Sequence, residues 1–160
     1  MDLVRRGHRR PRRSRDSPTG LGMMATPDTG PWLIDASALA VLPRSAEVEL
    51  WEERIQRGLV HLSTATRLEV AFTARNGADL RRLLATPPMT AFIIESLTPM
   101  IEDRAMEVMA LLADRGQHRA ASIPDLLVAA TAEIRQLTVL HRDKDFDLIS
   151  DVTGQPMERI

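Results

Sequence analysis

The chain has 160 residues, 44% of them hydrophobic, and a formal net charge of −1. This length favours one compact domain with a substantial core. The absence of cysteine excludes disulfides and thiolate metal sites. Two tryptophans, three phenylalanines and no tyrosine are too few aromatic side chains for a base-stacking RNA-recognition sheet.

The basic charge is concentrated at the N-terminus, where residues 1–22 contain seven arginines and two aspartates. Residues 1–30 lack apolar periodicity and are predicted to form a disordered basic extension. Three interpretations remain open: an arm that contacts nucleic acid, a solvated tail, or a start codon assigned upstream of a true start at Met23 or Met24. The predicted domain, residues 31–160, is acidic. No apolar run approaches the ~18 residues of a membrane-spanning helix, so a soluble, cytoplasmic protein is expected.

Short apolar runs alternate with longer segments of helical periodicity. The runs at 31–35, 59–62 and 137–141 predict buried strands. Segments 47–57, 100–115 and 126–134 predict helices, and segment 92–97 is compatible with a strand or with a helix end. This alternation predicts an α/β fold with a mostly parallel sheet flanked by helices.

Four acidic residues fall where such a sheet binds its ligands, beyond the carboxyl ends of the strands. Asp35 ends the first strand, Glu69 lies in the helix after the second, Asp125 opens a later helix, and Asp143 follows the last predicted strand. Each also has a structural explanation as a helix cap. Thr66 and Glu69 have capping-box spacing, and Asp125 has the same spacing from Ser122.

If the four carboxylates share one pocket, they must take up protons or bind a cation, because two unit charges 4 Å apart repel by about 4 kcal/mol at an effective dielectric constant of 20. Hard oxygen ligands select Mg²⁺ or Mn²⁺. The four histidines include no H-x-x-x-H pair, which disfavours zinc. Such an ion suits phosphodiester hydrolysis, and candidate phosphate contacts are Arg67, Arg75, Arg119 and Arg142.

Four segments together resemble the PIN domain of VapC-type ribonuclease toxins from bacterial type II toxin-antitoxin systems: 33–38 (LIDASA), 65–70 (ATRLEV), 123–132 (IPDLLVAATA) and 139–146 (VLHRDKDF). The resemblance spans residues 31–160. It implies a three-layer fold with a five-stranded, mostly parallel sheet, and a Mg²⁺-dependent endoribonuclease in which Mn²⁺ can substitute. It also implies cleavage of structured RNA, a homodimer and a cognate antitoxin that inserts residues into the catalytic groove.

Carried over by position, the resemblance assigns catalytic roles to Asp35, Glu69, Asp125, Asp143 and Asp145. Of these, it implies Asp35, Asp125 and Asp143 as metal ligands, and Ser37 as a hydroxyl beside the metal. The ranking of Asp143 and Asp145 stays open. Two apolar faces could form the interfaces with these partners: one bears Trp51 and Ile55, and the other lies within residues 100–109. The alternative interpretation is that both pack in the core of the domain.

Two other functions are compatible with parts of the pattern. A haloacid-dehalogenase-type phosphatase also begins with an acid at the end of the first strand, but it requires Asp-x-Asp, and this chain has Ser37 at the second position. A catalytically silent PIN-like domain that binds RNA or a partner protein is the other alternative. RNA cleavage assayed with Mg²⁺ and then with a chelator discriminates between these functions.

Overall fold

The computed structural model describes residues 30–160, and the predicted N-terminal extension lies outside this range except for Gly30. The described elements, in chain order, are β1 (Trp32–Ile34), α1 (Ala36–Val41), a 3-10 turn (Leu42–Arg44), α2 (Val48–Gln56), β2 (Val60–Ser63), α3 (Thr64–Phe72), α4 (Gly77–Ala85), β3 (Ile93–Glu95), α5 (Pro99–Asp114), α6 (Ile123–Arg135), β4 (Thr138–His141), α7 (Asp145–Thr153) and β5 (Met157–Arg159).

All five strands form one parallel sheet in the order β3-β2-β1-β4-β5. The central strand β1 pairs with β2 on one side and β4 on the other, so Ile34 lies level with both Leu62 and Leu140. The three residues of β1 are fully buried, which explains its uninterrupted apolar sequence. The predicted α/β fold with a five-stranded parallel sheet flanked by helices is confirmed.

Two hydrophobic clusters, one on each face of the sheet, complete three layers. Leu33 belongs to the cluster that includes residues of α5, α6 and α7, whereas its neighbours Trp32 and Ile34 belong to the cluster that includes Trp51 and Ile55 of α2. This division follows from the alternation of side chains along a strand. Burial of each such large apolar side chain stabilises the fold by about 1.5–3 kcal/mol.

The predicted helices all form, with shifts of a few residues at their ends, and the ambiguous segment 92–97 contains the edge strand β3. Five elements, α1, α3, α4, α7 and β5, have no counterpart among the segments predicted from apolar pattern. Helix α4 buries no residue, and β5 has three residues that are at most half-buried, so neither produces a strong apolar pattern. Within residues 30–160, no helix combines the length and the apolar character needed to cross a membrane.

Candidate active site

A pocket of about 320 Å³ lies at the switch point of the sheet, where the strand order reverses between β1 and β4. The chain proceeds from β1 outward to β3 on one side, and then returns to place β4 and β5 on the other. The carboxyl ends of β1 and β4 therefore diverge into loops that leave a crevice between them. The pocket is lined by five carboxylates, one arginine and small neighbours: Asp35, Ala36, Ser37, Glu69, Arg119, Ala120, Ala121, Ser122, Asp125, Asp143 and Asp145.

Asp35 leaves the central strand and caps helix α1. Its Oδ2 accepts hydrogen bonds from the Ser37 amide at 2.9 Å and from the Ser37 hydroxyl at 2.6 Å, and the Asp35 amide donates to the Leu140 carbonyl oxygen at 2.9 Å. The side chain is only 3% exposed. Asp35 is thus a helix cap and a pocket residue at once.

Asp125 also combines the two roles. It forms a capping box with Ser122, in which the Ser122 amide donates to Asp125 Oδ2 at 2.8 Å and the Asp125 amide donates to Ser122 Oγ at 3.2 Å. The box directs the first turn of α6 toward the pocket, with Pro124 inside that turn. The predicted spacing of Ser122 and Asp125 is therefore a true capping signal on a residue that also lines the pocket.

The capping-box interpretation of Glu69 is wrong. Helix α3 begins earlier, with Ser63 as its N-cap, and the Thr66 amide donates to Ser63 Oγ at 3.0 Å. Glu69 therefore lies beyond the first turn. Its Oε2 is buried and has no hydrogen-bond partner among the described residues. Helix capping leaves this carboxylate oxygen unexplained.

The loop at 142–145 brings the last two acids to the pocket. The Arg142 amide donates to Ser37 Oγ at 3.0 Å, so Ser37 connects Asp35 to this loop. The Asp145 amide donates to Asp143 Oδ1 at 3.1 Å. Asp143 is exposed, whereas Asp145, the first residue of α7, is half-buried.

The carboxylates interact electrostatically across the pocket. Burial raises the pKa of Glu69, and the negative charges of Asp35 and Asp125 raise it further. The pKa of Asp125 is also raised, because burial and the charges of Asp35 and Asp143 outweigh the opposing hydrogen bonds from Ser122. Four of the five acids are thereby linked through mutual repulsion, which a bound cation would relieve.

The donor set fits a hard divalent cation, since the pocket offers carboxylate and hydroxyl oxygens and the described chain has no thiol. Glu69 Oε2 supplies a buried oxygen that no group within residues 30–160 satisfies. The side chains are gathered without being in ligand geometry, because within residues 30–160 no three acidic or histidine side chains are arranged to hold one ion.

The four arginines considered as phosphate contacts occupy different places. Arg119 lines the pocket and makes no hydrogen bond or ion pair with residues 30–160. Arg75 pairs with Asp79 on the surface, with its Nε 3.1 Å from Asp79 Oδ2. Arg67 and Arg142 are exposed and do not line the pocket. Of the four, the structure brings only Arg119 to the carboxylates.

Comparison with known proteins places this architecture in one family. The model of the PIN domain family matches residues 32–152. The chain is 60% identical over 129 residues to ribonuclease VapC2 of Mycobacterium tuberculosis, covering 81% of this chain and 92% of that protein. It is 41% identical over 129 residues to ribonuclease VapC51 of the same species, with the same coverage of both chains.

Solved structures agree on the fold. The toxin-antitoxin complex VapBC2 of Rickettsia felis contains a chain with a TM-score of 0.66 at 12% identity, covering 81% of this chain and 98% of that chain. The VapBC complex of Salmonella typhimurium gives a TM-score of 0.64 at 17% identity, covering 80% and 96%. The chain belongs to the PIN domain family. Within that family it is a VapC-type protein, a member of the group of ribonuclease toxins from toxin-antitoxin systems.

One pocket neighbour went unrecognised in the sequence. His141 closes β4, is 1% exposed, and has its Nδ1 2.7 Å from the carbonyl oxygen of Asp143. In the sequence it is one of several scattered histidines without metal-site spacing. The only available signal was its position, at the end of an apolar strand and two residues before a site acid.

Glu69→Gln should stabilise the metal-free protein at neutral pH. Because the folded-state pKa of Glu69 is raised, its ionisation costs folding free energy that glutamine avoids. The gain should be absent below about pH 4, where the carboxyl is protonated in the unfolded chain as well. It should grow as the pH rises from the unfolded-state pKa towards the raised folded-state pKa, and it should level off above the latter. Thermal unfolding in a chelating buffer across this range measures the difference.

The matched control is Glu52→Gln, which removes a carboxylate from the exposed face of α2, outside the pocket. It should show no such pH-dependent gain. A Glu69→Gln variant that is less stable than the wild type at neutral pH would refute the repulsion account.

Proposed function

We propose that the protein is a Mg²⁺-dependent endoribonuclease that cleaves structured cellular RNA in the cytoplasm and acts as the toxin of a toxin-antitoxin pair. Mn²⁺ is the expected substitute ion. The observation that carries the proposal is the convergence of five carboxylates and one arginine, Arg119, which has no ion pair within residues 30–160, on one pocket at the switch point of the sheet. The PIN-domain match over residues 32–152 supports the reaction class.

In this proposal Asp35, Asp125 and Asp143 hold the ion, with the Ser37 hydroxyl beside it. The ion, when bound, lowers the pKa of water to produce a nucleophile and neutralises charge on the scissile phosphate. The protein's own groups keep the carboxylates oriented: Ser37 fixes Asp35, and Ser122 fixes Asp125.

Glu69 has a different assignment, because its Oε2 has no hydrogen-bond partner among residues 30–160 and its pKa is raised. A carboxylate with these properties is suited to accept the proton that a nucleophilic water loses during attack. The proton would rest on Oε2, and it would be released to solvent through the open side of the pocket. Asp145 lines the same pocket and would contribute to its negative potential.

RNA recognition would depend on phosphates and shape, because the chain has few aromatic side chains for stacking on bases. Arg119 is the pocket residue suited to a phosphate next to the scissile bond. The five carboxylates do not neutralise it through a direct ion pair. Its guanidinium therefore remains available to the substrate.

A catalytically silent PIN-like domain remains the second candidate, and a phosphatase of the haloacid-dehalogenase type the third. The unpartnered Glu69 oxygen favours the nuclease over the silent domain, since a pure binding domain gains nothing from an unsatisfied buried carboxylate. The phosphatase is disfavoured by Ser37, which occupies the position of its second carboxylate and is hydrogen-bonded to Asp35.

Asp125→Asn should lower the rate of RNA cleavage by about 100-fold or more, because removing a ligand costs at least as much as removing its supporting partner. The metal-free variant should be no less stable than the wild type, since asparagine can still accept the Ser122 amide and the repulsive charge is gone. Cleavage of a labelled structured RNA, with Mg²⁺ and after chelation, measures the first effect, and thermal unfolding measures the second.

The control for this variant is Asp151→Asn, an exposed carboxylate on α7 outside the pocket, which should cleave at the wild-type rate. Cleavage that survives chelation would contradict the metal assignment. If the wild type binds RNA and cuts none of it with Mg²⁺ or Mn²⁺, the silent domain becomes the better account.

Arg119→Gln should raise the KM for RNA several-fold and leave kcat within about threefold of the wild type. Loss of one phosphate contact should also reduce the slope of log KM against log salt concentration by about one. Arg81→Gln is the matched control, because Arg81 is exposed on α4 outside the pocket. Equal effects from both variants would mean that Arg119 contributes only general charge.

We further propose a homodimer and an antitoxin that docks next to the pocket. A groove between α1 and α3 is lined mainly by apolar residues, including Leu39 and Val70, and it shares Ala36 and Glu69 with the acidic pocket. On the same helix α3, Leu68 and Phe72 are 64% and 92% exposed. An antitoxin that covers this surface would reach the carboxylates directly, and the VapBC complexes with the same fold support such a partner.

The second apolar surface lies on α5 and is assigned to the homodimer. Met100 and Met106 of that helix are 64% and 66% exposed, whereas Trp51 and Ile55 of α2 are buried in the core of the described chain. The core interpretation therefore applies to α2, and an interface remains the proposal for the exposed face of α5.

Phe72→Ser should weaken antitoxin binding at least tenfold without changing self-association, because a large exposed apolar anchor is lost. Met106→Ser should weaken self-association without changing antitoxin binding. Each variant is the control for the other. Calorimetric titration with the product of an adjacent antitoxin-like gene and sedimentation analysis of the free protein measure the two effects, and coincident loss in both assays would refute the assignment of separate surfaces.

A further inference from the structure

His141 is a buried polar residue that the proposed reaction does not use. It is the last residue of β4, 1% exposed, and its ring lies 5.2 Å from the ring of Phe146 in the first turn of α7. Between these two residues runs the loop that carries Asp143 and Asp145. The imidazole therefore lies next to the segment after β4 that contributes Asp143 and Asp145 to the pocket.

The hydrogen bond of this ring determines which nitrogen carries the proton. His141 Nδ1 lies 2.7 Å from the carbonyl oxygen of Asp143. A carbonyl oxygen can only accept, so Nδ1 must be the donor. In the neutral ring, Nε2 is then unprotonated. It lies 3.9 Å from Asp147 Oδ1, which is beyond hydrogen-bond distance.

This bond acts on a loop with few other constraints. The Asp143 side chain is exposed and belongs to neither hydrophobic cluster. Four hydrogen bonds that involve a side chain hold the loop: from the Arg142 amide to Ser37 Oγ, from the Asp145 amide to Asp143 Oδ1, from Arg159 Nη2 to the Arg142 carbonyl oxygen, and from His141 Nδ1 to the Asp143 carbonyl oxygen. Of these four, only the His141 bond joins the backbone of Asp143 to a buried side chain.

We propose that His141 is a positioning residue, whose Nδ1–H bond to the Asp143 carbonyl oxygen sets where the Asp143 carboxylate lies in the pocket. This inference rests on the proposed function, because Asp143 matters only if the pocket binds the ion. The competing explanation is that the ring only fills space against Phe146. The two explanations differ in whether the Nδ1 donor itself is required.

The test compares His141→Asn with His141→Gln. The amide nitrogen of asparagine can occupy the place of Nδ1, and that of glutamine the place of Nε2, while both variants lose the ring contact with Phe146. Asparagine should keep kcat and the affinity for Mn²⁺ within about threefold of the wild type. Glutamine should lower both by about 10- to 100-fold, the range found for groups that orient metal ligands, with KM for RNA unchanged.

Mn²⁺ affinity is measured by calorimetry without RNA, so it does not depend on turnover. The positioning role is refuted if the two variants lose kcat and Mn²⁺ affinity equally, or if the glutamine variant retains more of them than the asparagine variant. Space filling is then the better account. The KM for RNA is a further check. RNA binding is proposed to depend on Arg119, so a displaced Asp143 carboxylate should leave KM unchanged.

A measurement on the wild-type protein covers the case in which both variants fail to fold. The ¹⁵N shifts of the His141 ring at alkaline pH, where imidazoles are neutral, should identify a protonated Nδ1 and an unprotonated Nε2. The opposite tautomer would overturn the inference. A wild type that neither cleaves RNA nor binds Mn²⁺ would refute the proposed function, while the tautomer would still decide whether the bond to Asp143 exists.

Discussion

Electrostatic repulsion among carboxylates is the constraint around which this domain is organised. Pairing of β1 with both β2 and β4 brings Asp35 and the loop bearing Asp143 to the same edge of the sheet. Glu69 and Asp125 then approach from α3 and α6, and burial together with the neighbouring charges raises the pKa of both. The folded chain thus stores unfavourable energy at the pocket, and the two hydrophobic clusters must offset it.

Helix capping and ligand binding are not competing explanations for these acids. Asp35 and Asp125 each accept hydrogen bonds at a helix N-terminus and also line the pocket. Capping fixes the direction of each carboxylate through the hydrogen bonds that it accepts. Glu69 differs, because it makes no cap and its buried oxygen has no partner in the part of the chain that the structure describes. That contrast distinguishes the oriented carboxylates from the one that we propose as the proton acceptor.

The pocket is connected across the sheet as well as along each element. Ser37 donates to Asp35 and accepts from the Arg142 amide, so the loop after β1 and the loop after β4 are joined through one hydroxyl. The apolar groove between α1 and α3 meets the same pocket at Ala36 and Glu69. Substrate binding, support of the acids and partner docking are therefore proposed for adjoining surfaces, which gives a bound partner direct access to the carboxylates.

Apolar runs determined the three central strands and the parallel sheet, because strands buried on both faces need continuous apolar sequence. Four of the pocket acids, Asp35, Glu69, Asp125 and Asp143, could be predicted from their places near the ends of those strands, since parallel strands present their carboxyl ends together. Asp145 was implied only by the resemblance to the PIN domain. The sequence could not decide which arginine reaches the pocket, since Arg119 gets there through a loop path without any periodic signal. Nor could it exclude a capping box at Glu69, because the true N-cap, Ser63, is set by where β2 ends. The role that we propose for His141 depends on one 2.7 Å contact, and such a contact exists only once the loop has folded back on its strand.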